Sequence, residues 1–110
     1  MALTNLETIM ADMNKRGKMN RLYVPTHLRD GLANWIYKGR PVGSYLTAIL
    51  EGDLFEAGRR GDELSIDGMG STVRWLLCFA PMNCYGSKEQ VKAWRESGGY
   101  VGRNGGASHG

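Results

Sequence analysis

The chain has 110 residues, of which 42% are hydrophobic, and its formal net charge is +3 from 14 basic and 11 acidic residues. This length predicts a single domain with a modest core, and a core of that size favours association between copies of the chain. This positive charge is well below that of an obligate nucleic-acid-binding protein. It is still compatible with binding of a partner that carries a few phosphates.

The sequence also bears on compartment and membrane contact. The first 15 residues include acids and no continuous apolar stretch, which is unlike a signal peptide. No run approaches the roughly 18 apolar residues that span a bilayer. Two cysteines, Cys78 and Cys84, are few for a small secreted domain. We therefore expect a cytoplasmic protein without membrane contact, in which both thiols are reduced.

Two predicted helices occupy the N-terminal part of the chain. Apolar residues three or four apart between residues 2 and 13 predict the first helix, with Thr4 and Glu7 as its capping box. Gly17 interrupts this helix within a basic cluster. The cluster consists of Lys15, Arg16, Lys18 and Arg21. A β-prone tripeptide, residues 22–24, precedes Pro25, which starts a second helix that ends at Gly39.

The central part of the chain predicts two longer helices. The third extends from Gly43 or Ser44 to Gly58, and Asp53 lies close to its buried stripe, where a polar side chain needs a partner. The fourth follows Asp62 as its cap and ends at Pro81. Its apolar face consists of Ile66, Met69, Val73, Leu76, Leu77 and Ala80. A second ridge of Trp75 and Phe79 makes this helix apolar on two sides, which indicates a central position or a contact with another subunit.

The last predicted helix follows a loop at residues 81–87. Ser87 and Gln90 form its capping box, and Val91 and Trp94 are its apolar residues. From Gly98 onward six of 13 residues are glycine, which is typical of a flexible tail. The sequence thus predicts an all-α protein, a small bundle of about five helical segments with short turns. Residues 1–97 form its single domain, residues 98–110 form the tail, and the chain is expected to be homo-oligomeric.

The segment GRPVGSYL, residues 39–46, is a candidate anion site. Free backbone N–H groups at the start of the third helix favour an anion, and Arg40 and Ser44 could add to them. It is not a nucleotide triphosphatase loop, because a helix precedes it, three residues separate its glycines and no lysine follows. The alternative is structural: a helix stop, a proline turn and a cap.

A second candidate is PTHLRDG, residues 25–31. Asp30 lies three residues after His27 and could orient its imidazole, with Arg29 beside them. No suitably placed nucleophile completes a triad, and His27 and His109 are too few to predict a metal site. The alternative is again capping and surface pairing. The candidate ligand-binding residues are His27, Arg29, Asp30, Arg40, Ser44, Tyr45 and Asp53.

The string PTHLRDGLANWIYKGRPVGSYLTAILEGDLFEA contains the patterns Pro-x-His-x-x-Asp-Gly and Gly-x-Pro-x-Gly-x-Tyr-Leu, and a later loop contains Tyr-Gly-Ser before a tryptophan. With these motifs, residues 22–95 resemble a family of small phage-encoded accessory proteins. Tyr45 stands where the family has phenylalanine, and Gly61 stands where it has alanine. The resemblance implies an early, non-virion protein in the cytoplasm of an infected bacterium that counters host defence. It brings no catalytic residue.

Three functions are compatible with these features. The first is sequestration of an anionic small molecule, such as a cyclic nucleotide defence signal, in a pocket between copies of the chain. The second is inhibition of a host protein, with the two-sided fourth helix and Trp75 as the adhesive surface. The third is a nucleic-acid accessory role for the basic cluster, which six acids between Glu51 and Asp67 oppose. No enzymatic activity, metal or cofactor is predicted.

Overall fold

The computed structural model describes residues 6–15 and 22–102, and across these ranges it is helical and contains no strand. The α-helices are α1 (Leu6–Lys15), α2 (Thr26–Lys38), α3 (Ser44–Glu51), α4 (Leu54–Arg60), α5 (Glu63–Asp67), α6 (Met69–Phe79) and α7 (Lys88–Ser97). A 3-10 helix, Met82–Cys84, lies between α6 and α7, and residues 99–102 add a helical turn. The all-α prediction is confirmed. The capping box at Thr4 and the basic cluster beyond Lys15 lie outside the described residues.

The predicted third helix is in fact two helices. α3 ends at Gly52, whose φ of 77° is a left-handed conformation that glycine adopts without steric cost. Asp53 then caps α4 by accepting a hydrogen bond from the backbone N–H of Glu56 at 3.1 Å. The prediction that Asp53 lies beside a buried stripe is therefore wrong, since its side chain is exposed at a helix start.

The predicted fourth helix is also divided, at Gly68, and its inward face differs from the prediction. Asp62 caps α5 as expected, and α6 ends one residue before Ala80, next to Pro81. Within α6, however, Val73 and Leu77 are exposed, whereas Trp75 is completely buried. The inward side of α6 thus combines Trp75 of the predicted second ridge with Leu76 of the predicted apolar face.

Three tryptophans organise the core, and each indole N–H donates a buried hydrogen bond. Trp35 of α2 donates to the backbone oxygen of Cys84 at 3.0 Å, and Trp94 of α7 donates to the backbone oxygen of Trp35 at 2.8 Å. Trp75 of α6 donates to Oδ2 of Asp12 in α1, also at 2.8 Å. An indole N–H that is buried without an acceptor loses its hydrogen bond to water and gains none in return. The three bonds therefore constrain how these helices pack against one another.

The C-terminal end of α7 contacts the C-terminal end of α2. Gly39 and Gly98 end their helices in left-handed conformations, with φ of 69° and 81°. A Cβ atom on Gly39 would lie 2.6 Å from the backbone nitrogen of Gly99, so the two chain segments touch through their backbones. Tyr100 also packs against the core. Residues 98–102 of the predicted tail are therefore helical or in contact with α2, and residues 103–110 lie outside the described part.

The two cysteines are free and differ in burial. Cys78 is exposed and Cys84 is buried, and no disulfide joins them. Among the described helices, none has both the length and the apolar character needed to cross a membrane.

Candidate functional site

One polar cluster connects α2, α3 and α5. Nε2 of His27 lies 2.8 Å from Oγ of Ser65 and 3.5 Å from Oδ1 of Asp62. The Tyr45 hydroxyl donates to the backbone oxygen of Ser65 at 2.9 Å. Two predicted site residues, His27 and Tyr45, are thus brought together through Ser65, which the sequence did not single out.

Local structure explains why Ser65 lies at the centre of this cluster. Asp62 caps α5 by accepting the backbone N–H of Ser65 at 2.8 Å, which presents the buried Ser65 hydroxyl to α2. Gly61 lets the Tyr45 ring approach, because a Cβ atom at Gly61 would lie 2.7 Å from Cδ1 of that ring. The cap signal at Asp62 was legible in the sequence, whereas a contact between residues 27 and 65 was not.

Two ionisable groups of the cluster have shifted pKa values. Hydrogen bonds from Ser65 lower the pKa of the Asp62 carboxyl, and the nearby His27 lowers it further. Burial raises the pKa of the Tyr45 hydroxyl, and the negative charge of Asp62 raises it as well. The cluster therefore favours an ionised Asp62 and a neutral Tyr45 at neutral pH.

The cluster does not have the geometry of a Ser-His-Asp triad. In a triad the acid and the serine contact opposite ring nitrogens, whereas Ser65 and Asp62 both face Nε2 of His27. Only 3% of the Ser65 surface is exposed, so a substrate could not reach its hydroxyl. The prediction that Asp30 orients His27 is wrong, because the partners of this imidazole come from the α5 region. We interpret the cluster as the fastening of α5 to α2 and α3.

Arg29 is occupied by structural contacts. Its Nε donates to the backbone oxygen of Val24 at 2.7 Å, and its Nη1 donates to Asn14 of α1 at 3.3 Å. The guanidinium also lies 5.3 Å from the ring centroid of Tyr23. This arginine holds the segment before α2 in place and does not join Arg40 or Ser44.

The start of α3 is exposed and has no side-chain cap. Its first residue follows Gly43, and no side chain accepts the free N–H groups there. Arg40 and Ser44 are exposed, and the Arg40 guanidinium forms no ion pair with the described residues. Of the described residues predicted to bind an anion, those at the start of α3 keep unused hydrogen-bonding capacity.

An open groove of about 440 Å³ lies beside the start of α3 and contains Ser44 and Asp53. Its charged lining consists of Glu51, Asp53, Glu56, Arg60 and Lys88. Glu56 already binds Arg60 at 2.9 Å and Arg59 at 3.0 Å. Three carboxylates against two cations make the groove unsuitable for an anion in a single copy of the chain. Among the described residues, no group of three or more His, Cys, Asp or Glu could hold a metal ion.

A different feature is a set of exposed apolar side chains, part of which lies on the helix predicted to be apolar on two sides. Eight large apolar residues of the described ranges are exposed, and seven of them fall between residues 54 and 82. We call these seven, which are grouped by their position along the chain, the 54–82 surface. They are Leu54, Phe55, Leu64, Ile66, Val73, Leu77 and Met82. The eighth, Val101, lies in the turn after α7.

Comparison with known proteins adds no further guide. Neither the family models, the curated proteins nor the solved structures contain a match to this chain.

Proposed function

We propose that this chain is a non-catalytic binding protein that contacts another protein through the 54–82 surface. In the phage setting that the sequence resemblance implies, the contacted protein is a host protein in the bacterial cytoplasm, and the contact inhibits it. The observation that supports this proposal most directly is the exposure of Phe55, at 83%, and of Leu77, at 63%.

Burial of these exposed apolar side chains in a complex would contribute favourable free energy to binding. Burying apolar surface contributes roughly 25 cal/mol per Å², and a phenylalanine carries one of the largest such areas. Single exposed apolar residues are ordinary, but seven within 29 residues support a role for this part of the chain in contacting a partner. Trp75 does not take part, because it is completely buried and bonded to Asp12.

The test compares capture of host proteins by three forms of the tagged chain. Wild type, the double variant Phe55→Ser/Leu77→Ser and the control Val101→Ser are each used to retain proteins from a lysate of the infected bacterium. We expect wild type and Val101→Ser to retain the same protein in stoichiometric amount, and the double variant to lose it. Identical capture by all three forms would contradict the proposal.

A second candidate function is the binding of an anionic small molecule between copies of the chain. It is favoured by the uncapped start of α3 and by the exposed, unpaired Arg40. Because the adjoining groove is acidic, a second copy would have to complete the pocket. A thermal melt with cyclic nucleotides, ADP-ribose-type molecules and phosphate tests this. Saturation at about 100 times the dissociation constant adds about 2.7 kcal/mol, and the shift should vanish in Arg40→Ala.

A further inference from the structure

Helix α5 differs from the other described α-helices in how it is held. Its only buried residue is the polar Ser65, whereas every other described α-helix buries at least one apolar side chain. Leu64 is 62% exposed and Ile66 is 39% exposed. Neither belongs to the apolar core or to the partly buried residues that pack against it. Burial of apolar side chains in the core therefore does not hold α5 in place.

Polar contacts attach α5 to the neighbouring helices instead. The Ser65 hydroxyl lies 2.8 Å from Nε2 of His27 in α2, and the Ser65 backbone oxygen accepts from the Tyr45 hydroxyl of α3 at 2.9 Å. Oδ1 of Asp62, the cap of α5, lies 3.5 Å from the same nitrogen of His27. The polar contacts between α5 and its neighbours are thus concentrated at its start.

A glycine at each end fixes the segment that contains α5. A Cβ atom on Gly61 would lie 2.7 Å from Cδ1 of the Tyr45 ring, and one on Gly68 would lie 2.5 Å from Cγ of Pro25. The backbone oxygen of Gly68 also accepts a hydrogen bond from the first part of α6 at 2.9 Å. Residues 62–67 therefore lie between two closely packed points and can move while both ends stay in place.

We propose that residues 62–67, the α5 strap, open as one unit while the rest of the fold stays intact, and that the closed strap occupies the polar groups of two neighbouring residues. In the closed form Ser65 engages Nε2 of His27 and the Tyr45 hydroxyl. Opening frees both groups. A segment with so little buried apolar surface opens at a lower free energy than the whole domain. The inference does not depend on the proposed function, since it concerns a movement within this chain.

Native-state hydrogen exchange, followed by NMR for individual amides, tests the strap. Where exchange reports the opening equilibrium, the bonded amides of Ser65 and Ile66 monitor the strap, and the amide of the buried Thr72 in α6 monitors the rest of the fold. His27→Ala and Tyr45→Phe each remove one attaching bond and leave the sequence of the strap unchanged. We expect each to speed exchange at Ser65 and Ile66 by at least about fivefold.

Gly99→Ala is the matched control, because it acts at the opposite end of α2 from His27, where Gly99 touches the backbone of α2. We expect it to speed exchange at Thr72 and to leave Ser65 and Ile66 unchanged, since a local opening does not depend on global stability. Low concentrations of urea give the same comparison without a substitution. Exchange at Thr72 should accelerate with urea far more than exchange at the strap, whose opening exposes little surface.

Two results would overturn the inference. If Gly99→Ala or urea accelerated exchange at the strap as much as at Thr72, α5 would open only when the whole chain unfolds. If exchange at Ser65 and Ile66 were unchanged in both His27→Ala and Tyr45→Phe, their amides would exchange by fraying of a short helix, and the two bonds would not hold a strap closed.

Discussion

At the scale of single residues, Asp62 combines a helix cap with a charge. Its oxygen accepts the backbone N–H of Ser65 and lies 3.5 Å from the His27 imidazole. Since an Asn side chain caps a helix as well as Asp does, Asp62→Asn removes the charge and keeps the cap. The variant therefore separates the two contributions.

The pH dependence of Asp62→Asn follows from the lowered pKa of Asp62. A carboxyl whose pKa is lower in the folded state stabilises the fold above its unfolded pKa, and this contribution is lost as the pH falls through the folded pKa. We expect wild type to be the more stable protein at neutral pH, and the difference to shrink below the ordinary aspartate pKa. Urea unfolding over that acidic range measures it. A difference that is constant with pH would show that the charge contributes nothing.

Tyr45→Phe tests the hydroxyl at the centre of the same cluster. It removes the bond to the Ser65 backbone oxygen, which we expect to cost about 1 kcal/mol of unfolding free energy. The pKa of Tyr45 is raised, so the wild-type advantage is fully present below the ordinary tyrosine pKa and is lost as the pH rises through the folded value. Tyr37→Phe is the control, because no hydrogen bond to the Tyr37 hydroxyl is present among the described residues. Equal effects of the two substitutions would contradict the assignment.

Residue-level signals were readable in the sequence where they act locally. Gly39, Asp62 and Ser87 cap their helices as predicted, because a cap contacts atoms at most a few residues away. The prediction that Asp30 pairs with His27 used the same local logic and is wrong. The imidazole instead forms a hydrogen bond with Ser65, 38 residues away. Only the packing of α5 against α2 brings these two side chains together.

At the scale of helices, the positions of Gly68 and Gly70 at the start of α6 allow a matched comparison. A Cβ atom on Gly68 would lie 2.5 Å from Cγ of Pro25, a rigid ring that cannot turn away. Gly70 has nothing within 4 Å of such an atom. We expect Gly70→Ala to raise the unfolding free energy by about 0.5–1 kcal/mol through helix propensity. Gly68→Ala should lower it.

Urea unfolding midpoints of the two alanine variants measure this difference. Wild type should lie between them. If Gly68→Ala were as stabilising as Gly70→Ala, the close approach of Pro25 to the start of α6 would be wrong.

Helix breaks and helix faces were predictable to different degrees. The pair Gly52–Asp53 is a recognisable signal, a left-handed stop followed by a cap, but the continuous apolar spacing from Leu46 to Ala57 concealed it. The orientation of α6 was not predictable, because that helix is apolar on two sides. The bond from Trp75 to Asp12 of α1, 63 residues away, decides which side is inside.

At the scale of the whole molecule, the contact between the ends of α2 and α7 closes the fold. Gly99 has a φ of 72°, and a Cβ atom there would collide with the backbone of Lys38 and Gly39. We expect Gly99→Ala to cost at least about 1 kcal/mol, since it combines a strained φ with a backbone clash. Gly58→Ala, at an open position in α4, is the control. Thermal unfolding that is equal for the two variants would show that this contact does not stabilise the fold.

The candidate site was only partly predictable at this scale. Of the predicted ligand-binding residues, His27 and Tyr45 belong to one cluster, and Ser44 and Asp53 line one groove. The other three, Arg29, Asp30 and Arg40, make no direct contact with either pair. Each residue type was a reasonable ligand, but convergence depends on how short helices pack, which spacing along the chain does not determine. The 54–82 surface was anticipated only in part. An apolar side of the predicted fourth helix was expected to contact a partner, but the sequence did not show which side is exposed, because exposure is a property of the packed molecule.

The three tryptophan bonds have a consequence for synthesis on the ribosome. They join residues 49, 59 and 63 positions apart, and two of them depend on the segment from Cys84 to Trp94. A nascent chain that has exposed only α1 to α6 leaves the Trp35 indole and its backbone oxygen without those partners. Local helices would form early, but cooperative closure waits for α7 to emerge. The 54–82 surface, whose apolar residues stay exposed even after folding, is thus accessible to chaperones, or to the partner proposed for it, before the protein is complete.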